Sequence, residues 1–402
     1  MQHTPTAYFN SNNGQALLAF GSGPLLRIDA GPALDTLQAF IDAHRDRYVF
    51  GGLSYDLKNE VEALHSEHTH RLGFPLVLFW APEYVVEVKD NAHVYLYGNQ
   101  TIESDAFVFD FLKKAADEKN YPIPKRLASS INKEEYLSQI ESLKQHIQAG
   151  NIYEINFCQE YFAENVELRD PLGSYFQLNR ITQAPYSMYL DLEEFRVLCG
   201  SPENYIRKSG KILRSSPIKG THKRGNSPEE DEIFREKLRN DEKERSENVM
   251  IVDLVRNDLS RIATKGTVRV DELFGIYTFE TVHQMISTIS CELQASTTFT
   301  DVLRASFPMG SMTGAPKISA MLLSEEHENF RRGLYSGSLG YIAPNGDFNF
   351  NVVIRSLLYN AKRRYISCPV GGAITISSIP ENEYEECQVK IRGILDGMYE
   401  AT

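Results

Sequence analysis

Apolar residues recur along this chain in two rhythms. Alternating, β-branched and aromatic blocks predict strands at YVFGGLSYDL (48–57) and EYVVEVKDNAHVYLYG (83–98), the second as a hairpin about Asp90–Ala92. The stretch 113–131 is polar and broken by two prolines, and predicts a linker between an N-terminal part (1–112) and a main region (132–400). Asn132 then opens a helix: Glu135 stands at the capping-box position, Leu137, Ile140, Leu143 and Ile147 follow at helical spacing, and Gly150 ends it.

Beyond residue 150 strand-like and helix-like blocks alternate without a regular βαβ rhythm. FRVLCGSPENYIRKSGKILRSSP (195–217) predicts strands about a Ser209–Gly210 turn, and LYSGSLGYIAPNGDFNFNVVIRSLLYN (334–360) a hairpin turning at Asn345–Gly346. Ser227, Pro228 and Glu230 mark a helix start, and PENEYEECQVKIRGILDGMYE (380–400) reads as a final helix. The fold class is α+β, antiparallel sheet with helices packed outside it.

Composition narrows the function classes. A charge of −12 over 402 residues argues against a general binder of nucleic acid or of anionic membranes, both of which need a basic face. No apolar run approaches the length of a membrane span, and MQHTPTAYFN lacks a signal-peptide core. The five cysteines are scattered with no CxxC pair, as expected of reduced, packed thiols in a cytoplasmic protein.

Four groups of residues carry candidate chemistry. Glu244 and Glu247 on one helix, and Glu383 and Glu386 on another, are each three apart and share a face. Each is a common pattern of solvated helices; two such helices converging would make a hard-oxygen site suited to Mg²⁺. On the C-terminal helix Glu383, Glu386 and Lys390 border the apolar stripe of Tyr384, Cys387, Ile391, Ile394 and Met398. In FPMGSMTGAPKISAM (307–321), Thr313 and Gly314 precede a helix start at Pro316, whose free amides suit an anion or merely an ordinary cap. Gly371 and Gly372 in PVGGAITI offer a second backbone surface that a ligand can approach closely. Glu203 in GSPENYI and Lys219 in SSPIKGT, between turn-forming Pro217 and Gly220, are a salt bridge or a general acid beside an amine nucleophile. Arg355, inside an apolar strand, calls for a carboxylate partner; Tyr335 and His283 complete the set.

Taken in order, GSPE, PIKGT, ENVMIVDLVRNDL, FPMGSMTGAPK, GSLGYI, VVIRS and ENEYEECQVK resemble the chorismate-utilising enzymes densely over roughly 132–398, with GGLSYDL extending the likeness weakly toward the N-terminus. The resemblance implies two stacked antiparallel sheets flanked by helices, around a cleft for chorismate and Mg²⁺. It implies Glu247 and Glu386 at the metal, Glu244 and Glu383 in support, and Tyr335, Arg355, Lys390 and the Gly371–Gly372 amides on the substrate carboxylates. Glu203 would protonate the departing 4-hydroxyl, and His283 matches an active-site histidine of unassigned role.

Within the family, P-I-K-G-T is typical of the aminodeoxychorismate synthases and P-I-A-G-T of the anthranilate synthases. The likeness therefore implies component I of the former, with the Lys219 amine attacking C2 of chorismate and ammonia then adding at C4. Carboxylates nearby would raise the lysine pKa, while desolvation and Mg²⁺ would lower it. Isochorismate and salicylate synthases carry a water-activating lysine in the segment matching GNIYEINFCQE; here the slot holds Glu154, where aminodeoxychorismate synthases more often have glutamine. The chain has neither a Leu-Leu-Glu-Ser feedback element nor a glutaminase motif, so ammonia is expected from a separate glutamine amidotransferase subunit. The rival expectations are an anthranilate synthase component I and a non-catalytic chorismate-binding subunit.

Overall fold

A computed structural model describes residues 4–89, 92–123, 126–280 and 282–399. Two antiparallel sheets dominate it, of eleven and ten strands among the described residues. The alternation of side chains along the strands of the larger sheet explains its two faces. Ala7, Phe9, Met188, Leu190, Val197 and Cys199 point into a core shared with Phe50, Val77, Phe79 and Phe350 of the smaller sheet. Their neighbours Tyr8, Leu18, Tyr189, Leu198 and Leu357 point the other way, under the helices Ile102–Ala115, Lys133–Gln148, Pro171–Thr182 and Pro380–Leu395. The α+β class and the stacked antiparallel sheets expected from the sequence are what the chain forms.

The N-terminal hundred residues belong to both sheets. Thr6–Asn10 pairs with Tyr186–Leu192 in the larger sheet, and Val49–Leu53 pairs with Ser338–Ile342 in the smaller. Of the stretch read as a linker, residues 113–115 finish the helix Ile102–Ala115, which a Thr101–Ser104 capping box starts. Ala128–Ser129 forms a short strand against Phe162 and Tyr161.

Local signals with a stereochemical cause match the structure. The helix Lys133–Gln148 has Asn132 as N-cap with the Glu135 capping box, and Ser227 caps Pro228–Arg239. Strands Ser338–Ile342 and Phe348–Asn351 pair about Asn345–Gly346. Tyr84–Lys89 and Ala92–Tyr97 pair as expected, while residues 90 and 91 of their turn lie outside the described residues. The last helix ends at Leu395, followed by a single tighter turn at Asp396–Met398. All five cysteines are buried and unpaired.

Two readings need correction. Pro217–Gly220 is not a turn: Ile218 lies opposite Ile286 and Thr221 opposite Gln284, so Lys219 and Gly220 together face one residue of the neighbouring strand. This is a β-bulge, with Gly220 at φ 93° supplying the left-handed backbone. Nor is Arg355 in mid-strand; it occupies a bend at φ 53° just before the strand Ser356–Asn360.

Candidate active site

The bulge in Ile218–Lys223 turns the Lys219 side chain inward, where its amine forms an ion pair with Glu154 Oε1 from the strand Glu154–Ala163. Both residues are buried, at 9% and 1% exposure, so neither is a solvated surface charge. Burial pulls the Lys219 amine down, yet the charges of Glu154, Glu247 and Glu203 outweigh it and hold the pKa above the ordinary lysine value.

Glu203 stands in the bend between strands Phe195–Ser201 and Asn204–Ser209, fixed by its backbone N–H donating to Ser201 Oγ at 3.2 Å. Its Oε1 accepts a 2.6 Å hydrogen bond from Ser311. Burial pushes the carboxyl up to about 7, against the lowering effect of Ser311, the Lys219 charge and the Ile218 amide. A carboxyl near 7 is poised to donate a proton at neutral pH. Glu203 and Lys219 feel one another's charge, but the amine's direct partner is Glu154.

The two Glu-x-x-Glu helices do converge. Lys243 bridges them, its Nζ 3.8 Å from Glu247 Oε1 and 3.6 Å from Glu383 Oε1. Burial pushes Glu247 up to about 7 and also raises Glu244. Glu386, half exposed at the mouth, is held below its ordinary value because Lys390, 2.6 Å away, outweighs its burial. Gly372 completes this wall: a Cβ there would stand 3.8 Å from Glu383 Oε2 and 3.9 Å from Glu386 Oε1. Among the described residues no three His, Cys, Asp or Glu side chains are placed closely enough to hold a metal ion as they stand. The donors nevertheless suit a hard cation, since they are carboxylate oxygens on facing helices and Glu247 Oε1 is buried without a hydrogen-bond partner.

Gly371 and Gly372 lie on Tyr365–Ile374, which pairs with Glu154–Ala163 on one edge, while Ser356–Asn360 covers the other edge only as far as Ser367. The Gly371 carbonyl accepts from Lys390 Nζ at 2.8 Å. Tyr335 is buried, and that burial raises its hydroxyl well above the ordinary tyrosine value. Arg355 is near enough to Tyr335 and Glu386 to feel both, and burial lowers its guanidinium pKa in spite of them. Thr313 turns its hydroxyl to the Met309 and Gly310 carbonyls, at 3.3 and 3.2 Å. Gly314, at φ 146°, pairs with Ile155; a Cβ there would lie 2.2 Å from the Glu154 carbonyl.

His283 is placed differently. It is fully buried, with Nε2 2.9 Å from Asp231 and Nδ1 3.0 Å from Thr278. Asp231 also takes Arg224 at 2.8 and 2.9 Å, so the imidazole is tied into a charged brace and bonds neither Lys219 nor Glu203. Ser311 was not singled out in the sequence, although it lies within FPMGSMTGAPK.

The chain thus brings together a buried amine, a carboxyl raised to about 7, four converging glutamates and an arginine within reach of Tyr335 and Glu386. Residues 4–396 match the family described as chorismate binding enzyme, and the chain belongs to it. Its relatives include proteins named aminodeoxychorismate synthase component 1. That of Bacillus subtilis is 38% identical over 259 residues, 64% of this chain and 54% of that protein. That of Escherichia coli is 37% identical over 346 residues, 86% of this chain and 75% of that protein. Anthranilate synthase component 1 of Thermus thermophilus is 34% identical over 360 residues, covering 86% and 76%. The crystal structure of anthranilate synthase component I from Streptococcus pneumoniae shares the fold, with a TM-score of 0.76 at 24% identity over 97% of this chain and 90% of that one. The match spans little more than half the length of some relatives, 54% of the B. subtilis protein and 58% of its Klebsiella aerogenes counterpart.

Proposed function

We propose that this chain is an aminodeoxychorismate synthase component I, which aminates chorismate at C4 with ammonia from a separate glutamine amidotransferase subunit. The observation that carries the reading is Lys219: a buried amine in the P-I-K-G-T motif, electrostatically coupled to a carboxyl whose pKa is about 7. In this reading the amine bonds to C2, the ring double bonds shift, and the C4–O bond breaks as Glu203 gives its proton to the leaving hydroxyl. Ammonia then bonds to C4, the double bonds shift back, and the C2–N bond breaks to free Lys219.

Arg355, Tyr335, Lys390 and the edge amides of Gly371 and Gly372 orient the substrate carboxylates, and the bend at Thr313–Gly314 shapes the floor beside Glu154. Glu247 and Glu386 would hold Mg²⁺, with Glu244 and Glu383 in support, and the bound cation would supply positive charge against a substrate carboxylate. His283 braces the strand next to the bulge through Asp231 and Thr278. A cytoplasmic setting agrees with the buried, unpaired cysteines.

The second reading is anthranilate synthase component I, favoured by the likeness to the Thermus protein; there Lys219 would be a bystander. The test is to incubate the purified chain with chorismate, Mg²⁺ and concentrated ammonium at alkaline pH. A product of the 4-amino-4-deoxychorismate mass, converted by an aminodeoxychorismate lyase to 4-aminobenzoate, is expected. Anthranilate with released pyruvate would establish the second reading, and chorismate binding without turnover a non-catalytic subunit.

A further inference from the structure

An amine must be neutral to attack carbon, yet Lys219 is held in its charged form. Some group has to take its proton. The titratable neighbours come from four sides: Glu154 from the strand Glu154–Ala163, Glu203 from the bend before Asn204–Ser209, Glu244 and Glu247 from the helix Glu242–Ser260, and Glu386 from Pro380–Leu395. Of these, only Glu154 touches Nζ among the described contacts. Its other oxygen, Oε2, is buried with no hydrogen-bond partner, so no second donor among the described residues competes with Lys219 for the carboxyl. Glu203 accepts from Ser311 instead and, in the reaction proposed above, has its own proton to give to the leaving group.

We propose that Glu154 is the base for Lys219: it takes the Nζ proton as the amine bonds to substrate and returns it when the amine is released. The inference rests on the covalent role of Lys219 proposed above. A substrate that fills the cleft removes the remaining water, and a dry site favours a neutral carboxylic acid–amine pair over an ion pair. The proton therefore moves within an existing hydrogen bond.

The protons balance over the cycle. Lys219 ammonium and Glu154 carboxylate become amine and acid. The amine forms the C2–N bond and becomes a dialkylammonium, while Glu203 gives its proton to the leaving oxygen and water departs. Ammonia forms the C4–N bond, the C2–N electron pair returns to Lys219, and the product carries an ammonium at C4. Glu154 returns its proton to Lys219, and the product ammonium gives one to the Glu203 carboxylate. The sum is chorismate plus ammonia giving aminated product plus water.

Adduct formation on the full chain, with chorismate and Mg²⁺ in ammonia-free buffer, isolates the step. Intact mass measures the rate at which chorismate less one water is added. Wild type should form the adduct at pH 7 and Lys219→Ala none. Glu154→Gln should be slower by on the order of 100-fold at pH 7 and recover toward wild type above pH about 10, where solvent takes the proton. Glu154→Asp, which keeps the carboxylate one methylene further away, should fall between them. A Gln variant that matches wild type at pH 7, or is slowed equally at every pH, overturns the proposal, as does an Asp variant no faster than Gln. A wild type that forms no adduct overturns the covalent reading itself and takes this role with it.

Discussion

Ser311 donates a 2.6 Å hydrogen bond to Glu203 across 108 residues of sequence, and that bond orients the proposed acid while restraining its pKa. In Ser311→Ala the carboxylate loses a stabilising donor, so the Glu203 pKa should rise from about 7 by about one unit more. The alkaline limb of the kcat profile, followed at constant free ammonia, should move to higher pH while kcat falls by roughly 10-fold from lost orientation. A limb that stays in place would show that another group donates the proton.

Glu203 and Glu247, both near 7 when folded, titrate near 4.3 when unfolded. The folded chain therefore binds more protons between those values, and their contribution to stability falls as pH rises from about 4.3 through 7. Replacing Glu247 with the neutral Gln should stabilise the metal-free chain by ~1–2 kcal/mol at pH 8, with little effect near pH 5. Urea unfolding at the two pH values measures the difference. Equal midpoints for the variant and wild type at pH 8 would contradict it.

The adjacent glycines should respond differently to a single methyl group. A Cβ at Gly371 would meet Cys158 Sγ at 2.7 Å, so Gly371→Ala should lower stability by ~1–3 kcal/mol. At Gly372 the nearest atoms are Glu383 and Glu386 oxygens at 3.8 and 3.9 Å, so Gly372→Ala should fold normally. Its cost should appear as a raised KM for chorismate. Parallel thermal melts and kinetics separate the two.

Arg355 makes no ion pair among the described residues, and its pKa is lowered by burial. Arg355→Gln should leave the melting temperature unchanged or slightly higher. It should raise KM for chorismate on the order of 10- to 100-fold, the worth of a charge-assisted hydrogen bond or two. Arg355→Lys should recover only part of this, because an ammonium lacks the planar fork. An unchanged KM would remove Arg355 from substrate binding.

Much of this site was legible because its parts are written as local patterns. Glu244/Glu247 and Glu383/Glu386 announce their faces through helical spacing, and Asn132–Glu135 and Asn345–Gly346 carry their own stereochemistry. What escaped depends on pairings across the sheets. The bulge at Lys219–Gly220 is visible only in the register against Val282–Glu292, so a proline and a glycine read as a turn. The Glu154–Lys219 pair joins residues 65 apart, and no spacing rule couples them. Arg355 looked strand-like because an apolar run does not disclose a positive φ in its midst.

The threading of the sheets also sets how the chain must be assembled. Thr6–Asn10 lies between Gln15–Phe20 and Tyr186–Leu192, and Val49–Leu53 waits for Ser338–Ile342. Each early strand finds a local partner along one edge, Gln15–Phe20 or Val77–Trp80, while its other edge stays open until a strand far later in the chain emerges. Such high contact order makes for slow folding with hydrophobic edges exposed meanwhile. A cell making this protein has reason to hold its first hundred residues on a chaperone, and fragments cut near residue 112 should aggregate rather than fold.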